Sequence, residues 1–449
     1  MSALTVRRIR HRYLILHALR WLPSGLLIPV SILLMQERGL TLAQIGVAVS
    51  VQGLVVLALE LPTGGFADAL GSKPILVAAS AVNLASLALF VVADSFALLA
   101  AVFALQGVFR ALDSGPLESW YVNATLAADP DAEYERGLGH GGAVLGLAIA
   151  FGALLSGGLV LLGPIGPVSA LTLPLLPAAA LQLVYLVALL TLLSEARARR
   201  GAAAMLSSVR EAPRMVGQAF GLVRRSRVLL ALLAVELFWG FGMMTFEGLL
   251  PVRLAEVAGD PDRAAALLGP AGAMAWLASA GGAACVPLLS RRIGTALAAA
   301  LLRIVQGVTV VGMGLLAGPV GVLVAYLGCY AVHGAANPLH MGLLHRQVDG
   351  PYRTSVISLN SMVAMPAAGL GGIALGALAD SAGVTTAMLA GAVVLALAAP
   401  LYLPARPAGG PGSGTAAPGA NGAGAEAAGA AGSERRASPV ANASVEAGN

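Results

Sequence analysis

Long apolar runs separated by short polar breaks recur along the chain. Twelve of them reach about 20 residues, the length a helix needs to cross the hydrocarbon core of a bilayer. They fall at 13–35, 43–66, 74–93, 97–119, 138–161, 167–193, 228–250, 264–288, 295–317, 320–342, 355–378 and 384–403. Most connections are short, but the stretch from Ser194 to Arg227 is long and divides the runs into six and six. The pattern predicts an all-α polytopic membrane protein of twelve transmembrane helices in two six-helix, pseudo-repeated bundles. The bundles are expected at 1–193 and 228–403, with a central loop at 194–227 and a tail at 404–449.

Composition strengthens this picture. Charged residues make up 11% of the chain, apolar residues 58%, and the mean hydropathy is +0.83. A soluble domain averages about 25% charged residues, so a soluble fold of this chain would lack the polar residues to cover its apolar surface. Lipid removes that difficulty by acting as an apolar solvent. The first run is longer than a signal-peptide core and no small-x-small site follows it, so it reads as an uncleaved first span. Cys285 and Cys329 both lie in apolar runs and indicate no disulfide framework. Beyond Pro404 the chain turns to Gly, Ala, Ser and Pro, a composition that cannot bury enough apolar surface to order itself.

Charge sets the expected orientation, because Lys and Arg collect on the cytoplasmic side. Of 27 basic residues, 21 fall on the side of the N-terminus, the central loop and the tail, and only Arg38, Arg253 and Arg263 fall on the other. Both termini are therefore expected in the cytoplasm, with the protein in the inner or plasma membrane. In the central loop, Met205, Val209, Val216, Phe220 and Val223 recur at helical spacing among arginines. They read as an interfacial helix on the anionic inner leaflet, the alternative being a solvated linker.

One loop on the basic side holds the only lysine of the chain. It runs Leu61-Pro62-Thr63-Gly64-Gly65-Phe66-Ala67-Asp68-Ala69-Leu70-Gly71-Ser72-Lys73. Gly64, Phe66, Ala67, Asp68, Gly71 and Lys73 fit the G-x-L-A-D-R-x-G-R-K pattern, with Ala69 and Ser72 in place of two of its bases. The chain thereby resembles the major facilitator superfamily over about 1–403. Glu60 to Gly64 and Leu112 to Trp120 look like its bacterial drug-efflux members. In span five, Ala153-Leu154-Leu155-Ser156-Gly157-Gly158 keeps the paired glycines of the efflux motif G-P-x-x-G-G but lacks its Gly-Pro. The resemblance implies a loop in which Asp68 faces the N-terminus of span eleven and latches the halves at the cytoplasmic rim, with Lys73 holding Asp68 or lipid phosphate. Glycines suit such a turn and close helix approach. Gly376-Ala377-Leu378-Ala379-Asp380-Ser381-Ala382-Gly383 matches the same core, but without a base and on the other side, and reads as a helix end with a turn. A degenerate second copy is expected at Leu288 to Gly294, with Gly294 in register with Gly71.

Ionisable residues inside spans are costly and kept mostly at cavities or partners. Candidates for a cavity or a proton-coupling role are Arg20, Glu60, Arg110, Asp113, Glu236 and Arg303. Gln106, Arg110 and Asp113 share one helix face, and Pro116 frees the carbonyl of Leu112, predicting a local break in span four. Arg20 is open to an anionic group or to Glu60. Glu118 and Glu247 are further in-span acids, Glu247 near a wet end. His333 and His340 read as packing residues.

No G-x-x-x-x-G-K-S/T loop exists, because the single lysine follows a serine. An ion gradient is then the expected energy source. The resemblance implies a secondary transporter, exporting a small organic compound in exchange for protons. A solute symporter or uniporter is the alternative, and a polytopic membrane enzyme, for which no nucleophile–base or metal spacing appears, is the remaining one. Expected partners are a small-molecule substrate, protons and membrane lipid, without nucleic acid, metal or cofactor, and the chain is expected to be a monomer.

Overall fold

The computed structural model describes residues 5–194, 221, 224, 226–347 and 353–406, with the side chains of 60–69, 353–358 and 361 outside the description. The expected interfacial helix of the central loop and the tail beyond Arg406 also lie outside it. Helices account for nearly all of the described chain. In the first half these are α1 (Val6–Leu27), α2 (Ser31–Glu37), α3 (Leu42–Leu70), α4 (Ser72–Val92), α5 (Phe96–Asp113), α6 (Pro116–Ala128), α7 (Glu135–Val160) and α8 (Leu175–Leu192). In the second half they are α9 (Arg227–Glu247), α10 (Leu250–Ala258), α11 (Pro261–Ala284), α12 (Val286–Ile293), α13 (Thr295–Leu315), α14 (Gly318–Arg346), α15 (Arg353–Ala382) and α16 (Val384–Leu397), followed by a 3-10 turn at Ala399–Ala405. Among the described residues, eleven helical spans are long and apolar enough to cross a membrane, and twelve when α1 and α2, bent by 41°, are counted as one span.

Several spans depart from single rods, each for a local reason. Span one breaks at Ile28-Pro29-Val30, where proline interrupts the hydrogen-bond ladder. Span six begins as a helix only at Leu175, not at 167. The preceding stretch carries Pro164, Pro167 and Pro174, positive-φ Gly163 and Gly166, and an isolated bridge between Ile165 and Val168. Span four breaks between α5 and α6 at Ser114-Gly115, one residue before Pro116, as the sequence predicts. Gly115 turns the chain there at φ 93°, in the left-handed region.

The halves meet along two seams, α3 against α15 and α7 against α11. Lipid offers little hydrophobic drive for helix association, so close approach through small residues matters more. A Cβ added to Gly46 would sit 2.4 Å from the carbonyl carbon of Gly372, and one added to Gly269 would sit 2.5 Å from the carbonyl oxygen of Ala153. Gly157, the first of the paired span-five glycines, belongs to this second contact, against Ala266 and Gly269.

Among the described residues, packing differs between the two ends of the molecule. At the arginine-poor end a single core joins both halves, from Leu33, Leu42 and Ile45 to Phe246, Leu250, Leu375 and Met388. At the arginine-rich end there are two separate cores. One is built from Ile9, Tyr13, Leu76, Trp120 and Tyr185 of the first half. The other is built from Leu229, Leu232, Leu344, Ala398 and Tyr402 of the second.

The exceptional arginines of the arginine-poor end do structural work. Arg38 donates to the carbonyls of Ala93 (2.7 Å) and Val91 (3.1 Å), closing the C-terminus of α4. Desolvation in this loop pushes the Arg38 guanidinium below its ordinary pKa range. Arg253 reaches the carbonyls of Met313 and Leu316 at the end of α13 in the same way, at 3.4 Å each. A cation there answers the last carbonyls and the negative end of the helix dipole. Gly71 (φ 92°, ψ 159°) and Gly294 (φ 79°, ψ 152°) start α4 and α13 with nearly the same backbone, as the register of the repeat predicts.

Candidate functional site

Among the described residues, two buried clusters gather ionisable candidates inside the spans, one in each half, and a neutral one joins Ser80 and Asn83 to Gln182. The first is built on the break in span four. Because α5 stops at Asp113, its last carbonyls lack helical partners, and Arg20 of α1 answers one of them. Its Nη2 donates to the carbonyl oxygen of Asp113 at 2.8 Å, while Nε donates to the Asp113 carboxylate. Nη1 donates to Glu118 Oε1 of α6 at 3.1 Å, and His17 Nδ1 lies 3.7 Å from that oxygen. Asp113 is 3% exposed, and its Oδ1 and Glu118 Oε2 have no hydrogen-bond partner among the described residues. Tyr13 and Tyr121 stack beside the cluster with ring centroids 4.4 Å apart.

Arg20 thus pairs with Asp113 and Glu118. Arg110, predicted to share a face with Asp113, sits one turn before it at an exposed position. Glu60 is among the residues whose side chains lie outside the description, as are Gly64 and Asp68. Gly71 and Lys73 are described. Lys73 Nζ donates to the carbonyls of Leu190 (2.7 Å) and Leu193 (2.8 Å) at the end of α8. Arg12 adds a bond to Leu192 (2.9 Å), and the Trp120 indole one to Ser194 (3.0 Å). The sole lysine therefore holds the end of span six, a contact its sequence neighbours do not announce.

The second cluster joins α9, α13, α14, α15 and the 3-10 turn. Glu236, 6% exposed, has an oxygen 3.2 Å from His340 Nε2, which is also 3.2 Å from Asn360 Oδ1. His340 Nδ1 lies 3.0 Å from the Tyr402 hydroxyl. With the ring proton on Nε2, the imidazole donates toward Glu236 and accepts from Tyr402. Arg303, 2% exposed, donates to Gln306 Oε1 at 2.9 Å and lies over the Trp239 ring at 5.8 Å. His333 stacks on Trp239, centroids 5.6 Å apart, in keeping with a packing role. His340 is more than a packing residue, since it bridges an acid to a phenol. Glu247 accepts a hydrogen bond from Tyr330.

Glu118, His17, Gln306, His340, Asn360 and Tyr402 complete the clusters beyond the six candidates. Glu118 and His340 are visible as ionisable residues inside spans. Asn360 and Tyr402 are neutral and lie on remote spans, so only the fold brings them to Glu236.

The family model of the Major Facilitator Superfamily matches residues 13–335. No curated protein matches the chain in sequence. Among solved structures, the nucleoside transporter NupG is similar at a TM-score of 0.73 and 13% identity, over 88% of this chain and 98% of that one. A bacterial homologue of the human lysosomal transporter Spinster, inward-facing and unoccupied, gives 0.71 and 14% over 90% and 98%. A structure from the proton-dependent oligopeptide transporters gives 0.65 and 13% over 88% and 98%.

Proposed function

The chain belongs to the Major Facilitator Superfamily, and from that premise we propose that it is a proton-coupled secondary transporter exporting a small organic compound by alternating access. The moving parts are the bundles 1–193 and 228–403. They turn about the two seams, in a cell membrane, with both termini in the cytoplasm and the chain acting as a monomer. The observation that carries this reading is the asymmetry of packing, with one core shared by both halves at the arginine-poor end and separate cores at the arginine-rich end. Among the described residues, that asymmetry supports reading the arginine-rich end as the open one, and the Spinster homologue is itself described as inward-facing.

Asp113 and Glu236 are the proton-exchange candidates, one in each half. Both are buried acids within hydrogen-bond reach of a basic group, Arg20 for Asp113 and His340 for Glu236. Arg110 and Arg303 bias the field around them, and Glu60 is a further acid on the same cytoplasmic half of span two. In the stretch Gly64–Lys73, which is helical to Leu70 and turns only at Gly71 rather than looping from Leu61, Asp68 latches the cytoplasmic rim when the carrier faces outward, while Lys73 anchors α4 to α8.

Export is tested by dye accumulation in cells with and without the protein, before and after the proton gradient is collapsed. Lower accumulation that the collapse abolishes is expected; raised accumulation would sink export. The latter result would favour the alternative, a solute symporter or uniporter; the structural neighbours include a nucleoside transporter and proton-dependent oligopeptide transporters.

A further inference from the structure

The motif-like stretch Gly376–Gly383, which the sequence presents as a helix end and turn, does end α15 at Ala382, and Gly383 (φ 88°, ψ 154°) starts α16. Its aspartate does more than close the turn. Asp380 Oδ1 accepts from the backbone N–H of Leu42 at 3.0 Å, and Oδ2 accepts from that of Ala43 at 2.9 Å. These are the first two N–H groups of α3, on the other half of the molecule. The first turn of a helix leaves its N–H groups without internal acceptors. Here every early donor is answered. Gln44 N–H goes to Thr41 Oγ1 (3.3 Å) in a capping box with Gln44 Oε1 on Thr41 N–H (3.0 Å), and the remaining two go to Asp380.

The two matched stretches stand in a reciprocal relation. α3 and α15 pack along one seam, and the arginine-poor contact joins the end of α15 to the start of α3, so the two run antiparallel. Asp68 precedes Gly71 by three residues at the end of α3, and Asp380 precedes Gly383 by three at the end of α15. Gly71 and Gly383 share one backbone conformation, φ 92° and 88° with ψ 159° and 154°.

We propose that Asp380 is a second gate residue. It holds the arginine-poor end closed by capping α3, as the mirror image of Asp68 acting on the start of α15 at the opposite rim. The proposal rests on the alternating-access reading. When the arginine-poor end opens, Leu42 and Ala43 exchange a fixed carboxylate for water. The interaction is therefore present in one state of the cycle and absent in the other, which is the requirement for biasing a two-state equilibrium.

Distances between spin labels at Ala97→Cys and Ala317→Cys, in a Cys285→Ser background in lipid nanodiscs, report closure of this end. Both positions are exposed and lie on different halves. Asp380→Asn should raise the ratio of open to closed molecules about twofold to fivefold, from the worth of an anion at a helix start. Ala43→Pro removes one donor but keeps the acid, in the first turn where a helix tolerates proline, and should move the ratio in the same direction. Asp68→Asn should move it in the opposite direction. An unchanged ratio in both Asp380→Asn and Ala43→Pro, or a shift of the same sign in Asp68→Asn, overturns the gate. Because the readout is a distance, a responsive gate in a protein that exports no dye would fault only the export reading.

Discussion

The two buried clusters solve the same problem differently. In the first half, one arginine is shared by two carboxylates and a broken helix end, with the charges pinned to each other at Arg20, Asp113 and Glu118. In the second half, Glu236 meets the His340 ring, which relays to Asn360 and Tyr402, while Arg303 is engaged by Gln306 and the Trp239 face. A pinned charge is structural as well as functional, because removing one partner strands the others in low dielectric. Glu236 feels the charge of Arg303 but is bonded to donor-and-acceptor groups rather than pinned to a cation, so it can change protonation with less disturbance of its surroundings. On this comparison the first cluster fixes a helix break and the second is the freer proton carrier.

The largest effect should come from breaking the pinned cluster. Arg20→Ala leaves a buried and a half-buried carboxylate facing each other and should destabilise the fold by about 3–5 kcal/mol, read as a fall in Tm and in yield from membranes. Arg303→Ala should cost less, about 1–3 kcal/mol for a stranded Gln306 and a lost ring contact; an equal loss would erase the distinction drawn between the halves. Next, Glu236→Gln should leave Tm nearly unchanged, since His340 can still donate to the amide oxygen. It should lower gradient-driven transport at least about tenfold while sparing gradient-free substrate exchange, a loss of the transfer step rather than of folding. If exchange and gradient-driven transport fall together, Glu236 is not the proton carrier. Asp68→Asn should slow turnover severalfold with normal insertion, because the worth of an anion at a helix start is about 0.3–1 kcal/mol. The smallest effect on transport belongs to Lys73→Met, whose loss of bonds to the α8 terminus, about 0.5–1.5 kcal/mol, should be seen in Tm and not in turnover.

Much of the fold is legible in the hydrophobic pattern because each span must satisfy its own backbone in lipid. The span count, the break before Pro116 and the register of Gly71 with Gly294 all follow from local rules. Span six begins later than its hydropathy suggests because Pro164, Pro167 and Pro174 override apolar composition. The site is less legible. Arg20 is conspicuous in span one, but its partners depend on how α1 packs against α6. Asn360 and Tyr402 carry no charge to flag them. Asp380 and the first turn of α3 lie more than 330 residues apart, and only the α3–α15 seam connects them.

The central claim is that the two halves tilt about their shared seams, so that one end closes as the other opens. It is tested most directly by measuring two spin-label pairs in a Cys285→Ser background as pH is varied. One pair is Ala97→Cys with Ala317→Cys at the arginine-poor end, and the other is Glu133→Cys with Arg291→Cys at the arginine-rich end. Lengthening of one distance with matching shortening of the other is the predicted result. Two distances that change in the same direction, or a single distance that changes alone, would contradict it.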